Sequence, residues 1–469
     1  MGKKKVEFKS DNGNVYMLDK KLGEGGQGQV YQVINQNDKK KYALKWYNQT
    51  FGTPEQRNQI QSLINRGTPK IDINGIQFIW PIEIVTVDGK ESFGYIMPLY
   101  DNNRYINLNC VISGKKKQPS IDILSRISYK IAIALESIHK AGYAYCDINP
   151  GNIQFDFNKG DIIVCDNDNV VVNNSKPAID GVMDFMAPEV ALGKSKPNSQ
   201  SDLYSLAILL FQLWVWEHPM EGKITNNVRC WDLPAKKKYY AEKPIFAYHP
   251  TDKENSAESV DMYKYGVIRW ETYCSQRLKE VFIKSFTEGV EYPNKRISLR
   301  EWKNIFIELE ANCIKCPQCG AVNHIDVSNL DYPHLNVPGG ISQGPSRKPN
   351  ASGEITCFYC RSQFPINLKM NIKNDQEYQI SNLIVYSGVN LRLHHIDNTA
   401  ANKDALTQIG SIEAHPKNKN AYILRNKTKY PWFYKVGGKS YRIDPGQARA
   451  LLPDGKLIIG SAKIDIQKI

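Results

Sequence analysis

The chain has 469 residues, a length that suits about three domains of ordinary size. Hydrophobic residues make up 41% and charged residues 23% of the sequence, which excludes a wholly disordered chain and a collagen-like fibre. The 61 lysines and arginines exceed the 48 acidic residues, so the net charge is +13. Such a charge suits anionic partners, whether nucleotide, acidic peptide, nucleic acid or membrane surface, and it equally suits a solvated basic surface.

Signals for export or for a membrane are weak in this sequence. No apolar segment follows the charged residues Met1–Lys5, as a secretory signal would require. The longest apolar run, Leu203–Trp216, is too short to span a bilayer and is typical of a buried core helix. Four of the ten cysteines form two Cys-x-x-Cys pairs, which favours a reducing compartment and a bound metal over a disulfide scaffold. We therefore expect a cytoplasmic protein without a membrane segment.

The predicted elements begin with two strands, Val15–Leu22 and Val30–Asn35, on either side of a glycine cluster. The cluster has the pattern G-x-G-x-x-G, which a dinucleotide-binding turn would also show. Because a strand and not a helix follows, we predict a hairpin whose backbone N–H groups can approach phosphates. A plain glycine hairpin without a ligand is the alternative. The glycines of the cluster are Gly23, Gly25, Gly26 and Gly28.

A third strand, Lys41–Tyr47, carries Lys45 and is followed by a helix. Thr53 can cap that helix, and Gln56 completes a capping box. After two further strands the chain turns helical, with apolar side chains recurring every 3.6 residues between 124 and 138. The predicted layout is a small β-rich lobe followed by a larger helical lobe.

Residues 145–152, Tyr-Cys-Asp-Ile-Asn-Pro-Gly-Asn, have the H-R-D-x-x-x-x-N spacing of a catalytic loop. In that spacing Asp147 is the candidate base that takes a proton from an attacking hydroxyl, and Asn152 is a candidate magnesium ligand. Asp166 stands where a D-F-G aspartate would, and it is the second candidate metal ligand. An Ala-Pro-Glu sequence at 187–189 follows in the expected order.

With Lys45 at the place of the V-A-I-K lysine, these motifs make residues 15–312 resemble the eukaryotic-type protein kinase fold. More narrowly, the chain resembles a bacterial branch of such kinases. That likeness rests on Trp80-Pro81, Tyr145–Asn152, Cys165–Asn169, Phe185–Glu189 and His218–Gly222.

The resemblance implies a bilobal α+β kinase domain that uses ATP and Mg²⁺ to phosphorylate serine or threonine hydroxyls of a protein substrate. It also implies partners, a von Willebrand A-type protein and a metal-dependent phosphatase, in a phosphorylation triad linked to bacterial stress or defence. Nucleic acid has no support as a partner beyond the net charge, because the lysines occur in scattered triplets and not in a long basic tail.

The resemblance assigns roles to individual residues. Lys45 would hold the α- and β-phosphates, Asp147 would be the base, and Asn152 and Asp166 would bind Mg²⁺. The set expected to contact ATP is Leu22, Gly23, Gly25, Gly26, Gly28, Val30, Ala43, Lys45, Met97 and Leu99.

Several positions depart from the kinase pattern. Cys146 replaces the arginine that usually clamps a phosphorylated activation loop, and Ser175 is the one hydroxyl residue between 169 and 189. We therefore expect activity that does not depend on phosphorylation of this loop. Asn149 replaces a lysine near the γ-phosphate, and Asn167-Asp168 replaces Phe-Gly, which alters the usual apolar spine and its hinge.

The sequence leaves the helical partner of Lys45 open. A protein kinase normally supplies a glutamate from the helix that follows the third strand. Here Glu55 lies in the first turn of that helix, and Gln59 and Gln61 occupy its middle.

The sequence is compatible with two functional classes. An active kinase is favoured because the lysine, the base and both metal ligands are present, and a nucleotide-binding pseudokinase adaptor is the alternative.

Cys316-Pro-Gln-Cys319 and Cys357-Phe-Tyr-Cys360 have the spacing of two zinc-ribbon knuckles. Four thiolates would form a closed tetrahedral Zn²⁺ site with a structural role and no open position for catalysis. The Pro- and Gly-rich segment between the pairs is predicted to be a loop. Four free thiols are the alternative, and a ribbon alone does not decide between protein and nucleic-acid partners.

Residues 375–469 consist of short alternating runs separated by turn signals, which predicts an all-β domain. The stretch 409–460 resembles a forkhead-associated β-sandwich, but the Ser-x-x-His and Asn-Gly signatures of phosphothreonine readers are not evident. A structural or partner-docking sandwich is therefore favoured over a phosphopeptide pocket. The predicted domains are a protein kinase domain at 10–312, a zinc ribbon at 313–366 and this β domain at 375–469.

Overall fold

The computed structural model describes residues 6–175, 181–326, 344–350, 352–397, 399–400 and 402–469. The backbone separates into two compact units. The first unit contains the chain up to residue 111 together with residues 134–209, and the second contains residues 112–133 and 210–469. None of the helices in the described part of the chain is long and apolar enough to cross a membrane.

The first unit contains the strands of the amino-terminal half of the chain. They are β1 (Glu7–Ser10), β2 (Val15–Gly25), β3 (Gly28–Asn35), β4 (Lys41–Tyr47), β5 (Ile76–Phe78), β6 (Glu83–Thr86), β7 (Phe93–Met97), β8 (Tyr105–Asn107), β9 (Tyr143–Ala144), β10 (Ile153–Asp156), β11 (Ile162–Val164) and β12 (Val171–Val172). Strands β1-β2-β3-β4-β7-β6 close into a barrel, and β5-β11-β10-β8 form a second sheet.

The glycine cluster forms the β2–β3 hairpin, as predicted, with Gly25 paired to Gly28. The next antiparallel pair, β3 with β4, sets Val30 opposite Lys45. Val30 and Lys45 therefore share one face of the sheet, and Lys45 Nζ reaches Gln27 of the hairpin at 2.7 Å. Large apolar side chains fill the barrel behind it, namely Phe8, Tyr16, Val33, Leu44, Val85 and Ile96.

Helix α1 (Pro54–Arg66) begins at the predicted Thr53 cap, but the predicted capping box does not form, because the Gln56 side chain turns inward and donates to the Tyr47 hydroxyl. The Thr53 hydroxyl accepts a hydrogen bond from the backbone N–H of Gln56 at 3.2 Å, and Gly67 follows the helix with a φ of 74°. The face that this helix buries carries Gln56, Ile60 and Leu63. A polar glutamine among the apolar residues of that face indicates a specific hydrogen-bond partner.

The remaining helices alternate between short turns and long buried segments. They are α2 (Leu108–Ile112), α3 (Ile121–Lys140), α4 (Pro188–Ala191), α5 (Ser199–Val215), α6 (Lys223–Asn226), α7 (Leu233–Lys237), α8 (Lys264–Tyr273), α9 (Gln276–Phe286), α10 (Glu288–Glu291), α11 (Leu299–Ala311), α12 (Leu393–Ile396) and α13 (Asn402–Ala405). Helix α5 is the core helix expected from the longest apolar run, and its apolar side chains from Leu206 to Val215 are almost wholly buried.

The second unit ends in strands. They are β13 (Cys313–Lys315), β14 (Val322–Ile325), β15 (Ser346–Arg347), β16 (Glu354–Thr356), β17 (Gln363–Pro365), β18 (Leu368–Lys373), β19 (Gln379–Ile384), β20 (Asn390–Arg392), β21 (Gln408–His415), β22 (Asn418–Asn426), β23 (Trp432–Val436), β24 (Lys439–Ile443), β25 (Ala448–Ala450), β26 (Lys456–Ile459) and β27 (Ala462–Lys468). Strands β19-β18-β27-β26-β23-β24 form one sheet and β20-β21-β22-β25 another.

The β-rich tail begins earlier than residue 375. Strand β18 starts at Leu368 and pairs with both β19 and β27, so it lies inside the six-stranded sheet. Its alternation of Leu368, Met370 and Ile372 is short and includes two lysines, which is why the sequence alone did not separate it from a linker. Most of the predicted Pro- and Gly-rich loop falls on residues 327–343, outside the described residues.

One buried cluster joins the cysteine-rich segment to the tail. It includes Ile314 and Ile355 from the cysteine-rich strands, Trp432 and Ile464 from the tail, and Ala311 at the end of α11. The side chain of Asn312 extends the connection, because its amide donates to Asn382 O at 3.0 Å and its oxygen accepts from Ile384 N at 2.9 Å. The segments predicted as separate ribbon and β domains therefore share a core.

Candidate active site and metal centre

The catalytic-loop sequence is anchored by Asp202 at the start of α5. Its buried carboxylate accepts hydrogen bonds from the backbone N–H groups of Tyr145 at 2.7 Å and Cys146 at 3.1 Å. His139 Nε2 lies 2.8 Å from the same carboxylate. Cys146 has a φ of 67°, a left-handed conformation that these charge-assisted bonds hold in place. The anchor thereby fixes the direction in which Asp147 leaves the loop.

Amide side chains orient the Asp147 carboxylate. Asn152 Nδ2 donates to Asp147 Oδ2 at 3.0 Å and to its carbonyl oxygen at 3.0 Å. Asn149 Nδ2 donates to Oδ1 at 3.0 Å, and Asn169 Nδ2 lies 3.4 Å from Oδ2. The asparagine at the position of the missing lysine thus contacts the candidate base. An amide donor fixes the carboxylate without removing its charge, which suits a group that must accept a proton.

The segment 165–169 follows strand β11 and is held by hydrogen bonds to its neighbours. Tyr145 donates its hydroxyl to Cys165 O at 2.6 Å, which ties this segment to the catalytic loop. Asn167, where the kinase pattern has phenylalanine, is buried and donates to Ile79 O at 3.0 Å and Val164 O at 2.9 Å. The predicted loss of the apolar residue is therefore compensated by backbone hydrogen bonds. Asp166 adopts a left-handed conformation with φ 48° and ψ 48°.

The partner of Lys45 is Asp168. Lys45 Nζ lies 2.7 Å from Asp168 Oδ2 and 3.7 Å from Asp166 Oδ1, and it also donates to Gln27 Oε1 at 2.7 Å. Burial opposes the charge of Lys45, but the nearby Asp168 and Asp166 carboxylates outweigh it and raise its pKa above the ordinary value. The lysine therefore stays protonated at neutral pH.

None of the three residues considered from sequence in α1 takes that role. Glu55 is exposed, and Gln61 donates to Asn65 within the helix. Gln59 donates to the carbonyl oxygen of Asp168 at 2.8 Å. Sequence reasoning missed Asp168. Two changes together could have indicated this pair: an aspartate replaces the glycine of D-F-G, and glutamines occupy the middle of the helix where a glutamate is expected.

Most of the residues expected to contact ATP lie on the barrel strands of the first unit, with Gly26 in the β2–β3 turn and Leu99 just after β7. Gly23 pairs with Val30 across the β2–β3 hairpin, and Ala43 pairs with Met97 across β4 and β7. Leu22 and Val30 are partly exposed, as is Leu99 just after β7, whereas Ala43 and Met97 are buried. These positions provide an apolar surface next to a turn of backbone N–H groups, as nucleotide binding requires.

The charge of the site suits a divalent cation. Partial desolvation raises the pKa of Asp166, whose side chain is 49% exposed, and the Asp168 and Asp147 carboxylates raise it further against the opposing effect of Lys45. A site with this much uncompensated carboxylate charge attracts Mg²⁺, which prefers carboxylate and amide oxygens. Asp166 and Asn152 supply those two kinds of ligand, so the residues present fit the predicted metal.

Two hairpins bring the four predicted zinc ligands together. Cys316 and Cys319 follow β13, and Cys357 and Cys360 follow β16. Their four Sγ atoms lie within 4.8 Å of one another, with 3.7 Å between Cys316 and Cys360 and 3.7 Å between Cys319 and Cys357. Four thiolates about 2.3 Å from a tetrahedral Zn²⁺ would stand about 3.8 Å apart. The spacing fits zinc.

Polar neighbours support the sulfur atoms. Ser362 Oγ lies 3.2 Å from Cys316 Sγ and 3.0 Å from Cys360 Sγ, and Asn323 Nδ2 lies 3.6 Å from Cys357 Sγ. Hydrogen bonds of this kind orient metal ligands. Gly320 and Arg361, each directly after the second cysteine of its pair, have φ values of 73° and 65° that let the backbone turn back around the sulfurs.

Comparisons with known proteins relate the first part of the chain to protein kinases. The family model described as the protein kinase domain matches residues 16–245. An Aurora kinase of Saccharomyces cerevisiae is 28% identical over 240 residues, covering 48% of this chain and 59% of that protein. A probable serine/threonine-protein kinase of Clostridium perfringens is 25% identical over 224 residues, covering 45% of this chain and 30% of that protein. The chain therefore spans less than two thirds of the length of either relative.

A solved structure, the kinase domain of PknI from Mycobacterium tuberculosis, covers 62% of this chain and 95% of its own at 18% identity, with a TM-score of 0.40. The family match and the curated relatives confirm the predicted serine/threonine protein kinase domain. Residues 16–245 of this chain therefore form a protein kinase domain of the serine/threonine type.

Proposed function

We propose that this chain transfers the γ-phosphoryl group of ATP to serine or threonine hydroxyls of a protein substrate. The observation that carries the proposal is the Asp147 carboxylate, oriented by Asn149 and Asn152 in the same unit as the ion-paired Lys45. These groups are the parts that phosphoryl transfer needs, a base, a metal ligand and a phosphate-binding lysine.

In the proposed reaction Asp147 accepts the proton of the attacking hydroxyl as its oxygen bonds to the γ-phosphorus. The bond from that phosphorus to the β–γ bridging oxygen breaks, and ADP leaves. Lys45 holds the α- and β-phosphates, and the β2–β3 hairpin covers them with backbone N–H groups. Mg²⁺, held by Asn152 and Asp166, would offset the negative charge of the phosphates.

The test is the isosteric variant Asp147→Asn. We expect phosphorylation of a generic protein acceptor to fall by about 10²- to 10⁴-fold, the usual contribution of a general base, while ATP affinity changes little. The matched control is Asp88→Asn, which neutralises an exposed carboxylate of the same unit. Equal phosphate transfer by wild type and Asp147→Asn, measured with labelled ATP, would contradict the assignment.

One observation favours a second candidate, a nucleotide-binding pseudokinase adaptor. Asn149 leaves the site without the lysine that usually contacts the γ-phosphate, so one stabilising charge of the transition state is missing. Wild-type protein that binds Mg·ATP in calorimetry but phosphorylates no acceptor and not itself would select this candidate over the kinase.

The remaining parts of the chain fit a bacterial signalling role. The four-cysteine cluster, at tetrahedral spacing, would bind Zn²⁺ and stabilise the core that it shares with the tail. The two sheets of the tail support a partner-docking β-sandwich. A von Willebrand A-type protein and a metal-dependent phosphatase are the partners proposed on the sequence resemblance, in a bacterial cytoplasm and in response to stress or defence.

A further inference from the structure

Helix α1 brings two glutamines, and no glutamate, to the environment of Lys45. Gln56 is buried, and its Nε2 donates to the Tyr47 hydroxyl at 3.0 Å. Tyr47 in turn donates to the Asp168 carboxylate oxygen that Lys45 contacts. Gln59 Nε2 donates to the main-chain oxygen of Asp168 at 2.8 Å. Every contact of α1 in this network is therefore an uncharged hydrogen bond.

The Lys45–Asp168 pair is enclosed by protein. The side chain of Lys45 is 8% exposed and that of Asp168 is 0% exposed. A buried ion pair is held strongly to its geometry, because separating the charges would leave each without a partner in a medium of low polarity. The lysine ammonium is thereby fixed relative to Asp168, and Asp168 lies two residues after the candidate metal ligand Asp166.

We propose that Asp168 is the positioning residue for Lys45, in the role that protein kinases give to a glutamate of the helix after the third strand. The lysine and the metal ligand Asp166 are then positioned by one short segment, 166–168. Helix α1 adds support through Gln56 and Gln59 but carries no charge of the pair. The inference rests on the proposed nucleotide-binding function of this site.

The arrangement has a consequence for regulation. In kinases whose helix supplies the glutamate, displacing the helix breaks the ion pair and inactivates the enzyme. Here, displacing α1 breaks neutral hydrogen bonds and leaves the Lys45–Asp168 pair intact. A partner that moves α1 should therefore change ATP affinity only slightly, whereas a partner that moves segment 166–168 should change it strongly.

The experiment compares Mg·ATP and adenosine binding in calorimetry on the full chain. Lys45 is placed to contact phosphates and not the base, so Asp168→Asn should weaken Mg·ATP binding by about tenfold or more, as for loss of a charged hydrogen-bond partner. Adenosine binding should be unchanged. Gln59→Ala, at a partly exposed position, should change Mg·ATP affinity by less than about threefold.

A charge-relocation variant separates positioning from mere packing. Gln56 contacts the Tyr47 hydroxyl that contacts Asp168, so Asp168→Asn with Gln56→Glu places a carboxylate from α1 one hydrogen bond away from the lost one. We expect the double variant to recover most of the lost Mg·ATP affinity. Recovery would not occur if the loss reflected only a damaged fold.

The outcomes are distinct. Equal Mg·ATP affinity in wild type and Asp168→Asn overturns the inference, and so does an equal loss of ATP and adenosine binding. If Asp168→Asn does not fold, Gln59→Ala decides: a loss of tenfold or more there would assign the positioning of Lys45 to α1 and overturn the inference. Wild-type protein that binds neither ligand would instead refute the proposed nucleotide-binding function.

Discussion

Amide side chains surround the carboxylates of this site, and all of them except Asn152 stand where the kinase pattern has other residues. Asn149 and Asn152 donate to Asp147, Asn167 donates to two backbone carbonyls, and Gln59 donates to Asp168 O. An amide can orient an acceptor without cancelling its charge. The site consequently keeps its negative charge, which Mg²⁺ and Lys45 would balance. Electrostatic stabilisation of the transferred phosphoryl group therefore depends on these two positive charges.

A second residue-scale feature is the acidic pair beside the His-Pro-Met-Glu-Gly motif. Burial raises the pKa of Glu217 to about 7, with a contribution from the nearby Glu221 carboxylate. The ordinary value is 4.5, so between about pH 4.5 and 7 the folded chain binds a proton that the unfolded chain has lost. Stability of the second unit should therefore fall as pH rises through this window.

Removing that charge gives a direct prediction. Glu217→Gln should be more stable than wild type at pH 8 by on the order of 2 kcal/mol, and the difference should shrink towards pH 5. The control is Glu242→Gln at an exposed position, which should leave the free energy of unfolding unchanged at both pH 8 and pH 5. Urea unfolding at both pH values measures the effect, and a Glu217→Gln advantage that is larger at pH 5 would contradict the assigned direction.

At the scale of elements, the helix ends follow local chemistry, and the catalytic segments depend on anchors from elsewhere. Helix α1 uses its own Thr53 cap, whereas the catalytic loop uses the carboxylate of Asp202 from α5. In a kinase with arginine at position 146, that side chain would recruit a phosphorylated loop. The Cys146 side chain instead has a pKa raised by burial and by the Asp202 and Asp147 carboxylates, so it stays a neutral thiol.

The activation segment should therefore act without phosphorylation. Ser175→Ala removes the one hydroxyl side chain between residues 169 and 189. We expect its phosphotransfer rate to stay within about twofold of wild type, because position 146 has no arginine that could bind a phosphate. Kinetics with labelled ATP on dephosphorylated protein measure this. A large loss in Ser175→Ala that Ser175→Asp restores would show that charge on this segment controls activity after all.

At the scale of the whole molecule, the metal cluster and the nucleotide site belong to different units. The four cysteines lie in the second unit, where Cys316 and Cys357 belong to the buried cluster that also contains Trp432 of the tail and Cys360 packs against it. Lys45, Asp147, Asn152 and Asp166 all lie in the first unit. Zinc binding should therefore be coupled to the folding of the tail as well as of the cysteine-rich segment.

We expect about one zinc ion per chain in elemental analysis. Cys319→Ser should lose the metal and increase both proteolysis of residues 313–366 and the solvent exposure of Trp432, while Mg·ATP affinity stays unchanged. The control is Cys230→Ser, an exposed cysteine outside the cluster. Metal-free wild-type protein with four thiols that react under native conditions would defeat the zinc assignment, and loss of ATP binding in Cys319→Ser would show that the two sites are coupled.

The sequence by itself determined the features that depend on near neighbours. The glycine hairpin, strand β4, helix α1 with its cap, the core helix α5 and the catalytic-loop spacing are all set by residues a few positions apart, where turn chemistry, capping and periodicity act. The kinase domain and the four-cysteine cluster were predictable for the same reason, since their motifs are short and ordered along the chain.

Only the tertiary structure decided which distant groups meet. Lys45 and Asp168 are 123 residues apart in sequence, and the indication that they pair was a change at two distant positions, the D-F-G glycine and the middle of α1. The sequence did not predict strand β18, because six residues of alternation suit a linker as well as a strand until both neighbouring strands are in place. It also did not predict the core that the cysteine-rich segment shares with the tail. Long-range pairing depends on packing between elements, and packing is a property of the folded chain as a whole.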